Sequence, residues 1–308
     1  MLAIVNIVLP VFALIFAGYA LRRLNVMGAA SSTELNRFVV YLALPALTID
    51  IMVSNPLSTL WQPGFLLAFE LAVALIFFGV LAWRWLQTKK LAEAAVECTA
   101  ASYANTGYIG LPLCALTFGA DKLAPAIVGA ILTVSLNFAF SIVLLEAGTQ
   151  GGRSLAATLV NVIRSLAKNP LILAPLFAVA VAASGWQLPY GVAQSIKLLG
   201  GAASPAALVA IGLFLAAKQE KTDVPVSVML VLLKLVLQPL LAWWLAYRVF
   251  DMPELWAKSA VLLSALPTGT GPFMLAELYR RGEAIASRTI LWSTFGSVAS
   301  LSVWLAVL

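Results

Sequence analysis

The chain has 308 residues, of which 62% are hydrophobic and 10% charged, with a mean hydropathy of +0.98 and a net charge of +6. A soluble domain carries about 25% charge, so this composition excludes one and indicates an integral membrane protein with short loops. Histidine is absent, which removes His-based catalysis and most metal sites, and the two cysteines, Cys98 and Cys114, would lie about 24 Å apart on one helix, too far to bridge.

Apolar stretches of about 20 residues, long enough to cross a bilayer, follow one another along the chain. They cover 3–22, 36–55, 63–84, 93–118, 122–146, 169–186, 190–217, 225–248, 255–279 and 285–307, numbered here as spans 1 to 10. Span 1 has no basic segment before it and no small-residue cleavage site after it, so it reads as a span rather than a signal peptide. Between spans 5 and 6, Leu155, Leu159, Val162 and Leu166 can share one helical face beside Arg153, Arg164 and Lys168. That pattern fits an interfacial helix, and a plain linker fits nearly as well.

Orientation follows from the basic residues. Fourteen of the nineteen Lys and Arg belong to the joints and helix ends after the odd-numbered spans. Lys122, Lys197, Arg248 and Lys258 belong to the other side, and Lys234 lies inside span 8. Both termini are therefore expected outside. The basic residues are accounted for by membrane topology, and no nucleic-acid partner is needed.

Prolines repeat across the two halves. Pro10 and Pro170, Pro45 and Pro205, and Pro112 and Pro272 are each 160 residues apart. The first pair falls near span starts, the second would bend spans 2 and 7, and the third interrupts spans 4 and 9. Five spans per half is an odd number, so a duplicated second half must enter the membrane inverted. The expected organisation is a first repeat over 1–150, a linker over 151–168 and a second repeat over 169–308.

Span 4 contains Asn105-Thr106-Gly107-Tyr108-Ile109-Gly110-Leu111-Pro112, and span 9 contains Pro267-Thr268-Gly269-Thr270-Gly271-Pro272. Two glycines and a proline this close disfavour a continuous helix by several kcal/mol. Each span is expected to be two half-helices with an unwound middle, Pro112 and Pro272 lying in the first turn of the second half. Free N–H groups and the helix dipole at such a terminus attract an anion. Asn105, Thr106, Thr268 and Thr270 could complete the site with neutral hydrogen bonds, with Gly110 and Gly269 beside them. Two kinked packing helices are the plainer reading of the same residues.

Ionisable residues inside a span are functional candidates. Lys234, with Gln238 one turn on, could attract an anion, balance a carboxylate or reach the cytoplasmic surface. Glu70 could be its partner or a proton carrier. Asp50, Glu97, Glu146 and Glu277 read as interface residues. No catalytic set is present, and two interrupted helices suit alternating access better than a continuous pore.

Several segments resemble the auxin efflux carrier family, which includes plant auxin exporters and bacterial malonate permease-like carriers. They are Gly18-Tyr19, Asn36-Arg37-Phe38-Val39 with Pro45, Asn55-Pro56, Asn105-Thr106 with Gly110-Leu111-Pro112-Leu113, Asn169-Pro170, Gly212-Leu213-Phe214, and Ala265-Leu266-Pro267 through Pro272-Phe273 and Tyr279. Lys234-Leu235 with Gln238-Pro239 is similar to the malonate-type members. The resemblance implies an all-α membrane protein of ten transmembrane helices in two inverted five-helix repeats, with broken helices 4 and 9 crossed, a fold of the bile acid symporter and NhaA kind. It implies a scaffold of spans 1, 2, 6 and 7, a mobile transport domain of spans 3–5 and 8–10, and elevator-like movement of a small organic anion. By position Asn105 matches the crossover asparagine, Pro112 and Pro272 the crossover prolines, and Thr48 a polar scaffold position facing substrate. Coupling to Na+ or H+, a homodimer and a bacterial inner-membrane location are compatible with this reading, which calls for no cofactor. A coupled symporter of another organic solute on the same fold, and a channel or receptor, stay open. The large cytosolic loop of the long plant exporters is missing, which puts auxin specificity in doubt.

Overall fold

Backbone polar groups in lipid have to be satisfied internally, and the apolar stretches are accordingly helical. The computed structural model describes residues 2–54, 61–119, 122–149, 160, 163–164, 167–216 and 223–308. In chain order the helices are α1 (Leu2–Arg23), α2 (Ser31–Val53), α3 (Pro63–Thr88), α4 (Leu91–Ser102), α5 (a π-turn Thr106–Gly110 running into Leu111–Phe118) and α6 (Ala124–Thr149). After them come α7 (Pro170–Ser184), α8 (Tyr190–Ala216), α9 (Val224–Val249), α10 (Glu254–Ser264), α11 (Gly271–Tyr279) and α12 (Glu283–Val307). Among the described residues, α2, α3, α6, α8, α9 and α12 are continuous helices long and apolar enough to cross a membrane. Spans 4 and 9 are each divided in two, as α4–α5 and α10–α11. Most of the expected interfacial helix over 153–168 lies outside the described residues, as does Asn55-Pro56.

Large apolar side chains such as Leu75, Phe78, Val236, Leu240, Phe295 and Val303 point outward, and small polar ones such as Thr99, Ser141, Ser287, Thr289, Ser293 and Ser297 are buried. Lipid tails are as apolar as leucine, so close packing and hydrogen bonds hold the helices together. Thr99 Oγ1 donates to Ser141 Oγ at 2.8 Å between α4 and α6, and Arg84 makes a two-armed pair with Glu97, Nη2 lying 3.0 Å from Oε1. Glu97 is thus a buried ion-pair partner rather than an interface residue.

Helices α1, α2, α7 and α8 pack together, as do α3–α6 with α9–α12. Gly18 and Gly212 bring α1 against α8. A Cβ at Gly18 would stand 2.1 Å from the Val209 carbonyl oxygen, and one at Gly212 would stand 1.9 Å from that of Ile15. Gly212→Val should therefore push two backbones apart, costing about 1–3 kcal/mol and several degrees of unfolding temperature. Gly201→Ala, whose Cβ would meet nothing within 4 Å, should leave that temperature unchanged or raise it slightly. A thermal scan of both variants checks the pair, and equal behaviour would contradict the packing account.

Proline explains much of the helix irregularity. The π-turns Val39–Ala43, Thr106–Gly110 and Leu233–Leu237 each end two residues before a proline, at Pro45, Pro112 and Pro239. Proline has no N–H for the carbonyl four residues back, and a widened turn absorbs the mismatch. At Pro239 that carbonyl is Leu235, which accepts from Ser300 Oγ on α12 at 2.8 Å. Asn169 caps α7, its Oδ1 accepting from the Leu171 N–H at 3.0 Å, with Pro170 in the first position.

Candidate functional site

The two interruptions meet. Tyr103–Asn105 and Pro267–Gly269 pair as a short antiparallel bridge, centred on Ala104 opposite Thr268. The Asn105 N–H donates to the Pro267 carbonyl at 2.9 Å and the Gly269 N–H to the Tyr103 carbonyl at 3.0 Å. Backbone groups freed by unwinding thus satisfy one another inside the protein. The bridge sets four helix ends around one point, the C-termini of α4 and α10 and the N-termini of α5 and α11.

Small residues make the crossing fit. A Cβ at Gly110 would lie 2.9 Å from Leu263 and Leu266, and one at Gly271 would lie 2.6 Å from Phe138 and 2.7 Å from Tyr103. A Cβ at Gly269 would lie 3.0 Å from the same Tyr103 ring, and that ring meets Phe138 edge-on with centroids 5.5 Å apart.

The N-termini differ from expectation in one detail. Helix α11 starts at Gly271, so Pro272 lies in its first turn as the sequence suggested. Helix α5 starts earlier, at Thr106, because the π-turn precedes the α-helical part. Pro112 is therefore in the second turn of that half-helix and leaves the terminus itself to Asn105–Gly107. The Asn105 carbonyl accepts from the Ile109 and Gly110 N–H groups at 3.2 and 3.0 Å. The Thr270 carbonyl accepts from Met274 at 3.2 Å, ahead of which Gly271 and Phe273 carry first-turn N–H groups.

The candidate side chains divide into two sets. Asn105 is 5% exposed and its amide has no hydrogen bond among the described residues, where the Thr106 hydroxyl is also buried without a partner. Thr270, which opens α11 on the facing segment, is also buried. Thr268 spends its groups on the crossing: Oγ1 donates to the Ala100 carbonyl at 2.8 Å and N–H to Ser293 Oγ at 3.0 Å. Thr48 donates to its own helix, at the Leu44 carbonyl, 3.0 Å away.

Lys234 departs most from the sequence readings. It is fully buried, so it does not reach the surface, and no carboxylate among the described residues pairs with it. Of the two roles open to Glu70, the pairing with Lys234 is not formed. Glu70 is half-buried, with one oxygen shielded and without a hydrogen-bond partner among the described residues. Instead Lys234 Nζ donates at 2.7 Å to the Ser264 carbonyl, the C-terminal residue of α10. Gln238 Nε2 donates at 3.1 Å to the Ser102 carbonyl, the C-terminal residue of α4. Two residues one turn apart on α9 therefore cap both interrupted helices, a role invisible in spacing because the acceptors are main-chain atoms 30 and 136 residues away.

Glu277, read as an interface residue, is also buried. Its Oε1 accepts from Ser32 Oγ at 3.0 Å and Thr33 Oγ1 at 3.1 Å, and Asn36 Nδ2 donates to the Met274 carbonyl at 3.1 Å. These bonds join α2 to α11. Away from the crossing, a cleft of about 310 Å³ is lined by Tyr41, Glu146, Lys168, Asn169 and Tyr279, where Tyr279 donates to Glu146 at 2.7 Å.

Comparison with known proteins places the chain in a family. The family described as "Membrane transport protein" matches residues 3–305. A Rhizobium meliloti protein provisionally named a malonate transporter is 32% identical over 98% of this chain and 95% of its own length. An uncharacterized transporter of Methanothermobacter thermautotrophicus is 27% identical over 98% and 97%. Auxin efflux carrier component 8 of Arabidopsis thaliana is 25% identical over 98% and 96%. The chain is an integral membrane protein, a transporter and not an enzyme, and it belongs to the membrane transport protein family of the auxin efflux carriers.

Proposed function

We propose that the chain is a secondary carrier of small carboxylates, holding its substrate at the crossing of α4–α5 with α10–α11. The observation that carries this reading is the two-bond bridge, which sets two helix N-termini at one buried point. An anion there gains from both dipoles and from first-turn N–H groups without a full positive charge. Asn105, Thr106 and Thr270 are the side chains with donors to give. Thr268, Gly110, Gly269 and Pro272 shape the place, Pro112 relaxes the helix behind it, and Thr48 would face it from the scaffold. The name of the Rhizobium relative makes malonate and similar dicarboxylates the first substrates to try.

In the same proposal ten spans form two inverted repeats, 1–150 and 169–308, joined by 151–168. The 160-residue proline lag and the interruption of spans 4 and 9 at matching places support it. Helices α1, α2, α7 and α8 serve as scaffold. The remainder moves as an elevator, and the Ser32, Thr33 and Asn36 bonds to α11 break and re-form as it does. The basic-residue count supports termini outside, and the membrane of the proposal is a bacterial inner membrane. Uptake of mono- and dicarboxylates into proteoliposomes tests the carrier reading. Saturable uptake with counterflow is expected, whereas single-channel currents without saturation would rule it out.

A further inference from the structure

Two helix C-termini meet at the crossing as well as two N-termini. Each carries about half a negative charge on its last carbonyls. Carbonyls at the C-terminal ends of broken helices are places where carriers hold a dehydrated alkali cation. Oxygen donors suit such a hard cation.

Here a side chain stands on that place. Lys234 Nζ lies 2.7 Å from the Ser264 carbonyl, and one turn along α9 Gln238 lies on the Ser102 carbonyl. Lys234, Gln238 and Ser264 are all 0% exposed. Two further oxygens of these residues, Ser264 Oγ and Gln238 Oε1, are buried and have no partner among the described residues. Lysine buried without a carboxylate is costly unless other oxygens offset its desolvation, and a helix-end carbonyl is one such oxygen. Buried here are a helix-end carbonyl and a hydroxyl of Ser264 on α10 and an amide oxygen of Gln238 on α9, with a tethered cation already bonded to the carbonyl.

We infer that Lys234 is a built-in cation filling an alkali-cation site, so the protein has no need of bound Na+, and that removing the amine opens the place to Na+ or Li+. The inference rests on the crossing geometry and not on the carboxylate reading, so its test uses no substrate. Purified protein is unfolded thermally in equal concentrations of sodium, lithium or choline chloride, followed by tryptophan fluorescence. The natural chain should unfold at one temperature in all three, to within about a degree. Lys234→Ala should unfold several degrees lower in choline and recover at least about half of that loss in sodium or lithium, by linkage to binding. Lys234→Arg keeps the fixed charge and should stay indifferent to the salt. An alanine variant recoverable only from sodium or lithium buffers also supports the inference. Sodium stabilisation of the natural chain, equal destabilisation of the alanine variant in every salt, or its loss in every buffer would overturn it.

Discussion

Asn105→Ala should reduce carboxylate uptake to background, while the protein inserts normally and unfolds within about two degrees of the natural chain. The separation of the two effects follows from the geometry. Only the Asn105 main chain is used by the fold, through its N–H to Pro267 and its carbonyl to Ile109 and Gly110. Its side-chain amide has no hydrogen bond among the described residues, so alanine removes no bond that the described fold uses. A hydrogen bond to a charged group contributes about 1.5–3 kcal/mol, so losing the amide should cost roughly 10- to 150-fold in affinity. Uptake kinetics beside a thermal scan check both halves. Normal uptake, or a loss of uptake that merely follows a loss of stability, would remove Asn105 from the site.

Gly271→Ala should abolish uptake by a different route, with a clear fall in stability. Its Cβ would press on Tyr103 and Phe138, whose rings lock each other edge-on. Overpacking of this kind costs about 1–3 kcal/mol. The strain would fall at the start of α11, two residues from the bridge. Tyr103→Leu should relieve part of it, and thermal scans of the single and double variants measure the relief. Additive losses in the double variant would mean the strain lies elsewhere.

The sequence made some elements readable and hid others for physical reasons. Helix limits were legible because lipid demands long apolar runs, and Pro63–Thr88 or Glu283–Val307 lie close to the stretches read from hydropathy. The interruptions were legible because Gly107, Gly110 and Pro112, and Gly269, Gly271 and Pro272, disfavour helix locally. The early start of α5 was not legible, since the π-turn is the backbone's response to a proline farther on. Lys234 showed as a buried charge without its partner, because a main-chain carbonyl leaves no signature in sequence. Ser293, which accepts from the Thr268 N–H, is one of many small polar residues on its helix and had no distinguishing signal. Asn36 and Tyr279 appeared as family-like residues, and the structure gives them bonds to Met274 and Glu146.

The central claim is that the anion is held at the crossing of the interrupted helices. A structure of the protein with a bound dicarboxylate tests it most directly. Density within hydrogen-bond distance of the Asn105 amide and the Gly271 N–H is the predicted result. Density in the cleft between Tyr41, Glu146, Lys168 and Tyr279, with none at the crossing, would contradict it.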